Sequence, residues 1–446
     1  MRPAQTPGLI MKSEVADTDV LIVGGGFSGT MMAAQLRDRG LRVTLVEGGG
    51  RAGRGTAYST RDAVHLLNVP AGMMSAWPER PDDFVAAGHE VEGYASRREF
   101  GSYLYEILDR ALTAGVELIE RRAISAVRDG AWQVGLSDGS MRSARTLILA
   151  QGNQPPEPMR VGDGIDGALF VNNPWGGDAR AAIDRVAGED GAVLILGTGL
   201  TMIDLVLSLA TAGHCGRIVA LSRRGQVPRD HAPHDPAPVE LAEVPQGKVL
   251  ALWRWVRGRS SEYDWRGAVD SLRPYSHVLW RGLSEVEQRR FLRHARPYWD
   301  VHRHRIAPQV AAQLASLIAE GRLEVIAGRI TGLRVEGSEV LASYAPRHGR
   351  SADREERFSA VFNCTGPLGA MKRTRDPLLR QMIDGGLISI DRLGMGIAVD
   401  GDGLAGERVW ALGPLTKGAF WEIVAVPDIR GQVAQVADHI ARELKA

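Results

Sequence analysis

Two short glycine-rich stretches carry the spacing best suited to chemistry. The first, VLIVGGGFSG, runs from Val20 to Gly29 and sets Gly24, Gly26 and Gly29 in the pattern G-x-G-x-x-G. Glycines so placed give a tight turn, a close approach of backbone to a pyrophosphate, and close helix-strand packing. A helix starting there aims its unpaired N–H groups and positive dipole end at phosphates. The second stretch, VLILGTGLTMID from Val193 to Asp204, keeps Gly197 and Gly199 but has Met202 at the third position. Both point to the binding of pyrophosphate-linked nucleotides.

Each loop needs flanking elements to position it. Asp19 to Val23 reads as a strand, Thr30 to Arg39 as a helix, and Leu41 to Glu47 as a second strand, which together make a βαβ unit. Glu47, at the end of the second strand, can accept hydrogen bonds from ribose hydroxyls and disfavours a 2′-phosphate. This unit binds adenosine and pyrophosphate without by itself distinguishing FAD from NAD. In the second unit the strand from Ala192 to Leu196, the helix through LTMIDLVLSLA and the strand RIVALS repeat the arrangement. The acid is replaced there by SRRG, Ser222 to Gly225, so that Arg223 and Arg224 stand where a 2′-phosphate would sit. Guanidinium groups match phosphate with paired charge-assisted hydrogen bonds, which favours NADPH over NADH. The alternative is that these arginines are solvated surface residues.

Two nucleotide sites suit a retained cofactor and a second one that delivers hydride to it, with FAD and NADPH as the natural pair. The alternative is an internal duplication with one vestigial site. Traces of duplication exist: VELIERRAISAVRDG, from Val116, leads to TLILAQGNQPP, and LEVIAGRITGLRVEG, from Leu323, leads to AVFNCTGP.

At 446 residues, with 44% apolar and 24% charged residues, the chain is long enough for roughly two or three folded domains. Its 54 Lys and Arg balance 53 Asp and Glu, which gives no electrostatic case for nucleic acid or an anionic membrane. Cys215 and Cys364 lie far apart with no C-x-x-C or metal spacing, so the expected compartment is the reducing cytoplasm. Without a thiol pair, redox chemistry falls to the flavin. The N-terminal segment lacks a long apolar region and reads as a tail. The apolar run from Val193 to Ala210 contains Asp204, so no membrane span is expected. His302 and His304 in WDVHRHR lack a third ligand and have cations between and beside them, so no metal site is assigned.

Several further segments give a wider resemblance. GGGRAGRGTAYST, HLLNVPAGMMSA, LILAQGNQPPEP, LGTGLTMID, LSRRG, WDVHRHRIAP, NCTGP and LGPLTKGAFWEI resemble a family of FAD/NAD(P)-binding proteins within the two-dinucleotide-binding flavoproteins. Related domains occur in urate hydroxylases and aspartate N-monooxygenases, and the resemblance runs from about Asp19 nearly to the C-terminus. It implies FAD contacts at Phe27, Ser28, Arg54, Gly55 and Tyr58, hydrogen-bonding partners of the isoalloxazine at Asn68 and Ser75, and later contacts at Gly152, Gly366 and Gly413. Thr201 joins the NADPH set. The implied activity is that of a flavin monooxygenase that works through a C4a-(hydro)peroxyflavin, with O2 as co-substrate and a small polar molecule, an amine among the candidates, as substrate. The alternatives are an NADPH-flavin reductase acting on a quinone or redox partner, and a non-catalytic flavin-bound sensor. No side chain is assigned a catalytic role.

The expected fold is α/β, with two Rossmann-like dinucleotide-binding domains, β-meander excursions and a helical insertion. Residues 1–18 are the tail, 19–160 and 355–446 the FAD domain, and 161–354 the NADPH domain. The insertion covers 226–305 as a possible source of the substrate pocket, with Trp253, Trp255, Trp265 and Trp280 read as its small core. A final helix is expected after Pro427, with Asp428 capping it.

Overall fold

The computed structural model describes residues 16–159, 167, 169–347 and 353–445; the expectation for the first 15 residues of the tail lies outside these. Two sheets organise the chain. The first orders its strands Leu404–Gly406, Val409–Ala411, Met141–Leu149, Thr18–Val23, Val43–Val46 and Glu117–Ile119, with the hairpin Ala123–Asp129 and Ala131–Leu136 extending from Met141–Leu149. Thr18–Val23 is parallel to both neighbours, pairing Val23 with Val46 on one side and with Leu149 on the other. The second orders Arg354–Phe358, Glu339–Pro346, Leu323–Glu336, Ile218–Ser222, Val193–Leu196, Ala360–Asn363 and Phe170–Val171. Its centre is parallel and Leu196 pairs with Leu221, the register that Val23 and Val46 have in the first sheet.

The duplication is explicit in this topology. In both units a strand parallel to the βαβ edge leads into an antiparallel excursion, which returns as a parallel strand on the far side of the glycine-loop strand. It also corrects the boundary drawn at 354/355. Arg354–Phe358 and Ala360–Asn363 belong to the second sheet, because the second unit needs the same return strand that Met141–Leu149 gives the first. The chain packs against the first sheet again after Asn363, through Met371, Leu378 and Met382.

The glycine-loop strands are unbroken apolar runs because both their faces are covered, one by helices and the other chiefly by the strands of the antiparallel excursion. The first helix spans Phe27–Asp38, with Gly26 as N-cap, and so starts three residues before the expected Thr30. Every residue from Phe27 to Leu36 is buried. Helices Arg97–Thr113 and Val426–Lys445 close over its outer side, contributing Phe100, Leu104, Val433 and Ile440 to one core with Met31 and Leu36. A capping box of Ser96 and Glu99 fixes the start of the helix that carries Arg97. The insertion is helical from Val249 to Arg303. Trp280 is buried in it, stacks on Trp421 at 4.9 Å, and donates its indole N–H to the Gly418 carbonyl at 2.9 Å. None of the four tryptophans reaches the cavity described next.

Candidate functional site

The C-terminal ends of the parallel strands of both sheets open onto one cavity of about 1540 Å3. In open α/β sheets ligands bind at this end of the strands, in the crevice where neighbouring connections diverge. Two loops of the same design lie beside the cavity: Gly24 and Gly26 line its wall, whereas Gly197 and Gly199 stand back from it and the second loop reaches it only through Leu200 and Thr201 at the helix start. Gly24 has φ +107°, and a Cβ there would lie 2.5 Å from the Ala150 carbonyl oxygen; Gly197 has φ +115°, and its Cβ would lie 2.2 Å from that of Cys364. Each thus lets the turn pass against the neighbouring return strand, where an L side chain would be strained and blocked. Gly29 is equally constrained, since a Cβ would sit 1.8 Å from the Gly24 oxygen. At its counterpart a fully buried Met202 is accommodated.

Gly26 and Gly199 differ from these. They are N-caps with φ −78° and −87°, and a Cβ on Gly26 would come no closer than 3.4 Å, to the Gly55 Cα. The local backbone tolerates a side chain there, so the glycine leaves room for something else. The first intrahelical donor is Thr30, to the Gly26 carbonyl at 2.9 Å, and the amides of Phe27, Ser28 and Gly29 precede it at the helix end. Phe27 and Ser28 line the cavity, as do Leu200 and Thr201 at the start of the second helix. This is a cradle that fits a pyrophosphate.

Glu47 lines the same wall. Its Oε2 accepts from the Gly25 amide at 2.7 Å and Oε1 from the Gly49 amide at 2.6 Å, which fixes the carboxylate beside the loop with lone pairs left over. At the register-equivalent position of the second unit stands neutral Ser222, whose hydroxyl meets Thr198 Oγ1 at 2.8 Å. Arg223, which follows, is exposed, and Arg224 lies over the Tyr298 ring at 5.8 Å. Neither has a carboxylate within 4 Å among the described residues, and neither is among the residues that line the cavity.

Arg54, Gly55, Tyr58, Asn68, Gly152 and Gly366 all line the cavity. Burial pushes the Tyr58 phenol up to about 12, so it stays protonated. The Asn68 carbonyl meets His231 Nε2 at 2.9 Å, and burial lowers the pKa of that imidazole, which favours its neutral form. Two expected residues stand back. Ser75 is fully buried, with its hydroxyl given to the Arg80 carbonyl at 2.6 Å and accepting from the Trp77 amide at 3.1 Å; it builds the turn behind the wall. Gly413, with φ +59°, donates its amide to Gln432 Oε1 at 2.8 Å and lies beside cavity-lining Pro414. The last helix starts at Val426 and brings Val426 and Ile429 to the wall. Asp428 does not cap it: its Oδ2 is buried without a hydrogen bond, and burial pushes its carboxyl up.

A polar cluster between the two units was not legible in the sequence. Arg97 Nη2 lies 3.0 Å from Asp204 Oδ2, an ion pair without hydrogen-bond alignment, with side chains 13% and 8% exposed. His65 Nε2 lies 2.9 Å from Ser208 Oγ, which donates to Asp62 Oδ2 at 2.5 Å, while His65 Nδ1 meets Thr60 Oγ1 at 2.8 Å. Arg97, Thr60, Asp62 and His65 come from the first unit, and Asp204 and Ser208 from the helix of the second glycine loop. The only sequence signal was a lone acid in an otherwise apolar helix. His302 and His304 diverge: one meets the Tyr298 carbonyl at 2.7 Å and the other faces Glu422 at 3.9 Å.

Comparison with known proteins places this geometry. Residues 21–154 match a family model described as FAD-NAD(P)-binding. Over 96% of the chain the structure superposes on 99% of the reduced ornithine hydroxylase of Pseudomonas aeruginosa, with TM-score 0.67 and 15% identity. L-lysine 6-monooxygenase of Pseudomonas syringae follows with TM-score 0.63, 18% identity and the same coverage of both chains. The fold is that of the two-dinucleotide-binding flavoproteins. At lower similarity it extends to the thioredoxin reductase of Lactococcus lactis, with TM-score 0.56 and 14% identity over 96% of this chain and all of that one. Among curated sequences, a Baeyer-Villiger monooxygenase of Stachybotrys chlorohalonatus is 28% identical over 43% of this chain and 31% of its own length. A rifampicin monooxygenase of Streptomyces venezuelae is 27% identical over 32% of this chain and 36% of its own. The chain thus matches about a third of each of these relatives. No helix among the described residues is long and apolar enough to cross a membrane.

Proposed function

We propose that the protein is an FAD- and NADPH-dependent monooxygenase acting on a small polar molecule, with amines as the first class to test. One observation carries the reading: the starts of both glycine-loop helices stand on the walls of a single cavity. Its volume exceeds the roughly 300–1,000 Å3 of an ordinary small-molecule site. Two nucleotides can therefore meet end to end in one chamber, as hydride delivery to a retained flavin requires.

Bound FAD supplies the hydride acceptor and the centre that activates O2. The chain holds and orients it. The amides of Phe27 to Gly29 would bind its pyrophosphate, Glu47 would accept from its ribose, and Asn68, whose carbonyl is held by neutral His231, would serve its ring. The N-terminus of the helix Val426–Lys445 favours negative charge on that side. Leu200 and Thr201, at the start of the second helix, would receive the second nucleotide's phosphates.

The thiols support oxygen chemistry over disulfide chemistry. Cys364 lines the cavity, but burial pushes its thiol pKa up, so it is protonated and unreactive at neutral pH. Cys215, the other free cysteine, precedes strand Ile218–Ser222, whereas Cys364 follows the parallel strand Ala360–Asn363, so they lie at opposite ends of one sheet. Mixing the NADPH-reduced protein with oxygenated buffer should give a transient absorbance distinct from oxidised and reduced flavin. An amine substrate should hasten its decay and carry one oxygen atom from O2. Direct reoxidation, no oxygenated product, and rapid turnover with quinones would establish the reductase instead.

The second nucleotide is NADPH because Ser222 removes the acid that would repel a 2′-phosphate and the unpaired Arg223 and Arg224 follow it. Replacing both arginines by glutamine should weaken NADPH by about 10- to 100-fold, in line with lost charge-assisted contacts, and leave NADH nearly unchanged. The concentration dependence of anaerobic flavin reduction reads this directly. An equal loss with both nucleotides would assign the arginines a structural role.

A further inference from the structure

The helical insertion contributes three arginines to the cavity wall: Arg273, Arg303 and Arg305. Two are neutralised. Arg303 Nε pairs with Glu422 Oε2 at 3.0 Å, and Arg305 Nη2 takes both oxygens of Asp270 at 2.7 and 2.5 Å. Arg273 is half-buried and has no carboxylate within 4 Å among the described residues. Its recorded hydrogen-bond acceptor is the soft Sδ of Met73, at 3.9 Å from Nη1.

The charges around Arg273 explain why it stays unpaired. Asp270 is committed to Arg305 and also faces His234 at 3.3 Å. Glu422 is committed to Arg303 and Trp299. Asp428 is the remaining carboxyl nearby; its Oδ2 is covered, and it lies outside ion-pair reach of Arg273. Burial and the neighbouring Arg303 both work against the charge on Arg273. A guanidinium held in such a wall without an anion is costly, and its planar fork matches a carboxylate bidentately.

Location identifies the source of the anion. Arg273 rests on Met73, in the segment that follows Asn68, and not on either glycine-loop helix. We propose that Arg273 is the anion-binding handle of the substrate site, and that the substrate carries a carboxylate that this arginine grips beside the Asn68–Met73 segment. This rests on the reading of the cavity as a flavin site. An ω-amino acid or another small polar carboxylate fits both this handle and the amine chemistry proposed above.

The test uses the FAD-loaded full chain. Flavin absorbance is titrated with matched pairs that differ in carboxylate against carboxamide, such as succinate and succinamide, glutarate and glutaramide, and 4-aminobutyrate and 4-aminobutanamide. NADPH dependence of anaerobic flavin reduction is measured in parallel. The wild type should prefer the carboxylate by about tenfold or more in at least one pair, as a charge-assisted contact implies. Arg273→Gln should abolish that preference, Arg273→Lys should keep part of it, and neither should change the NADPH dependence. The proposal is overturned if no pair prefers carboxylate, if the preference survives in Arg273→Gln, or if that variant weakens NADPH instead. A chain that takes up no flavin would overturn the reading of the cavity, and is told apart from these outcomes by its spectrum before any titration.

Discussion

Replacing Gly26 by valine should yield a folded protein that no longer retains flavin. Gly26 has an extended conformation open to any residue, and its nearest neighbour to a new Cβ is the Gly55 Cα at 3.4 Å. The fold therefore has little reason to fail. The added methyls enter the space beside the Phe27 to Gly29 amides, where a pyrophosphate must come into hydrogen-bonding contact. FAD affinity should fall by at least about 100-fold, equivalent to losing two charge-assisted contacts. The purified variant should be colourless while its circular dichroism and gel-filtration volume match wild type. Gly26→Ala should give a milder form of the same loss. Gly24 could not serve this test, since a side chain there collides with the Ala150 carbonyl and would disturb the sheet itself. A yellow Gly26→Val protein with wild-type flavin content would refute the assignment of this loop.

Asp204→Ala should destabilise the apoprotein by about 3–5 kcal/mol, the cost of leaving Arg97 buried without its partner. Asp204 is itself costly to bury, and desolvation pushes its carboxyl up against the opposing pull of Arg97 and then His65. Its worth lies in what its removal exposes. A double replacement, Arg97→Met with Asp204→Leu, should recover most of the loss, because it removes both charges from the interior. Denaturant midpoints of the two variants and wild type measure this. A loss below about 1 kcal/mol would show that Arg97 finds solvent or another partner. Because the pair spans the two units, Asp204→Ala should also slow hydride transfer from NADPH to flavin in the protein that remains folded.

The local signals in this sequence were strong where one segment sufficed to express them. Glycine spacing, flanking apolar strands and the exchange of Glu47 for Ser222, Arg223 and Arg224 define two βαβ units, since each depends on neighbours within about thirty residues. The duplicated excursions were visible as well, and with them the α/β class. The domain boundary after 354 was misplaced because sheet membership of Ala360–Asn363 is decided by pairing with Val193–Leu196, far away in the chain. The start of the first helix was misread because Gly26 caps it through backbone geometry alone.

What composition and spacing could not convey was which polar groups meet. Asp204 faces Arg97, Ser208 bridges His65 and Asp62, and Arg273 is left over once Glu422 and Asp270 have chosen Arg303 and Arg305. Those pairings join residues more than a hundred positions apart in several cases, with no periodicity to announce them. The sequence by itself determined the two glycine turns and the helices that follow them, because a glycine turn before a helix is a local property of the backbone. Only the tertiary structure decided that the starts of both helices meet one cavity and which arginine on its wall remains unpaired, because burial and charge pairing arise when distant segments exclude water together.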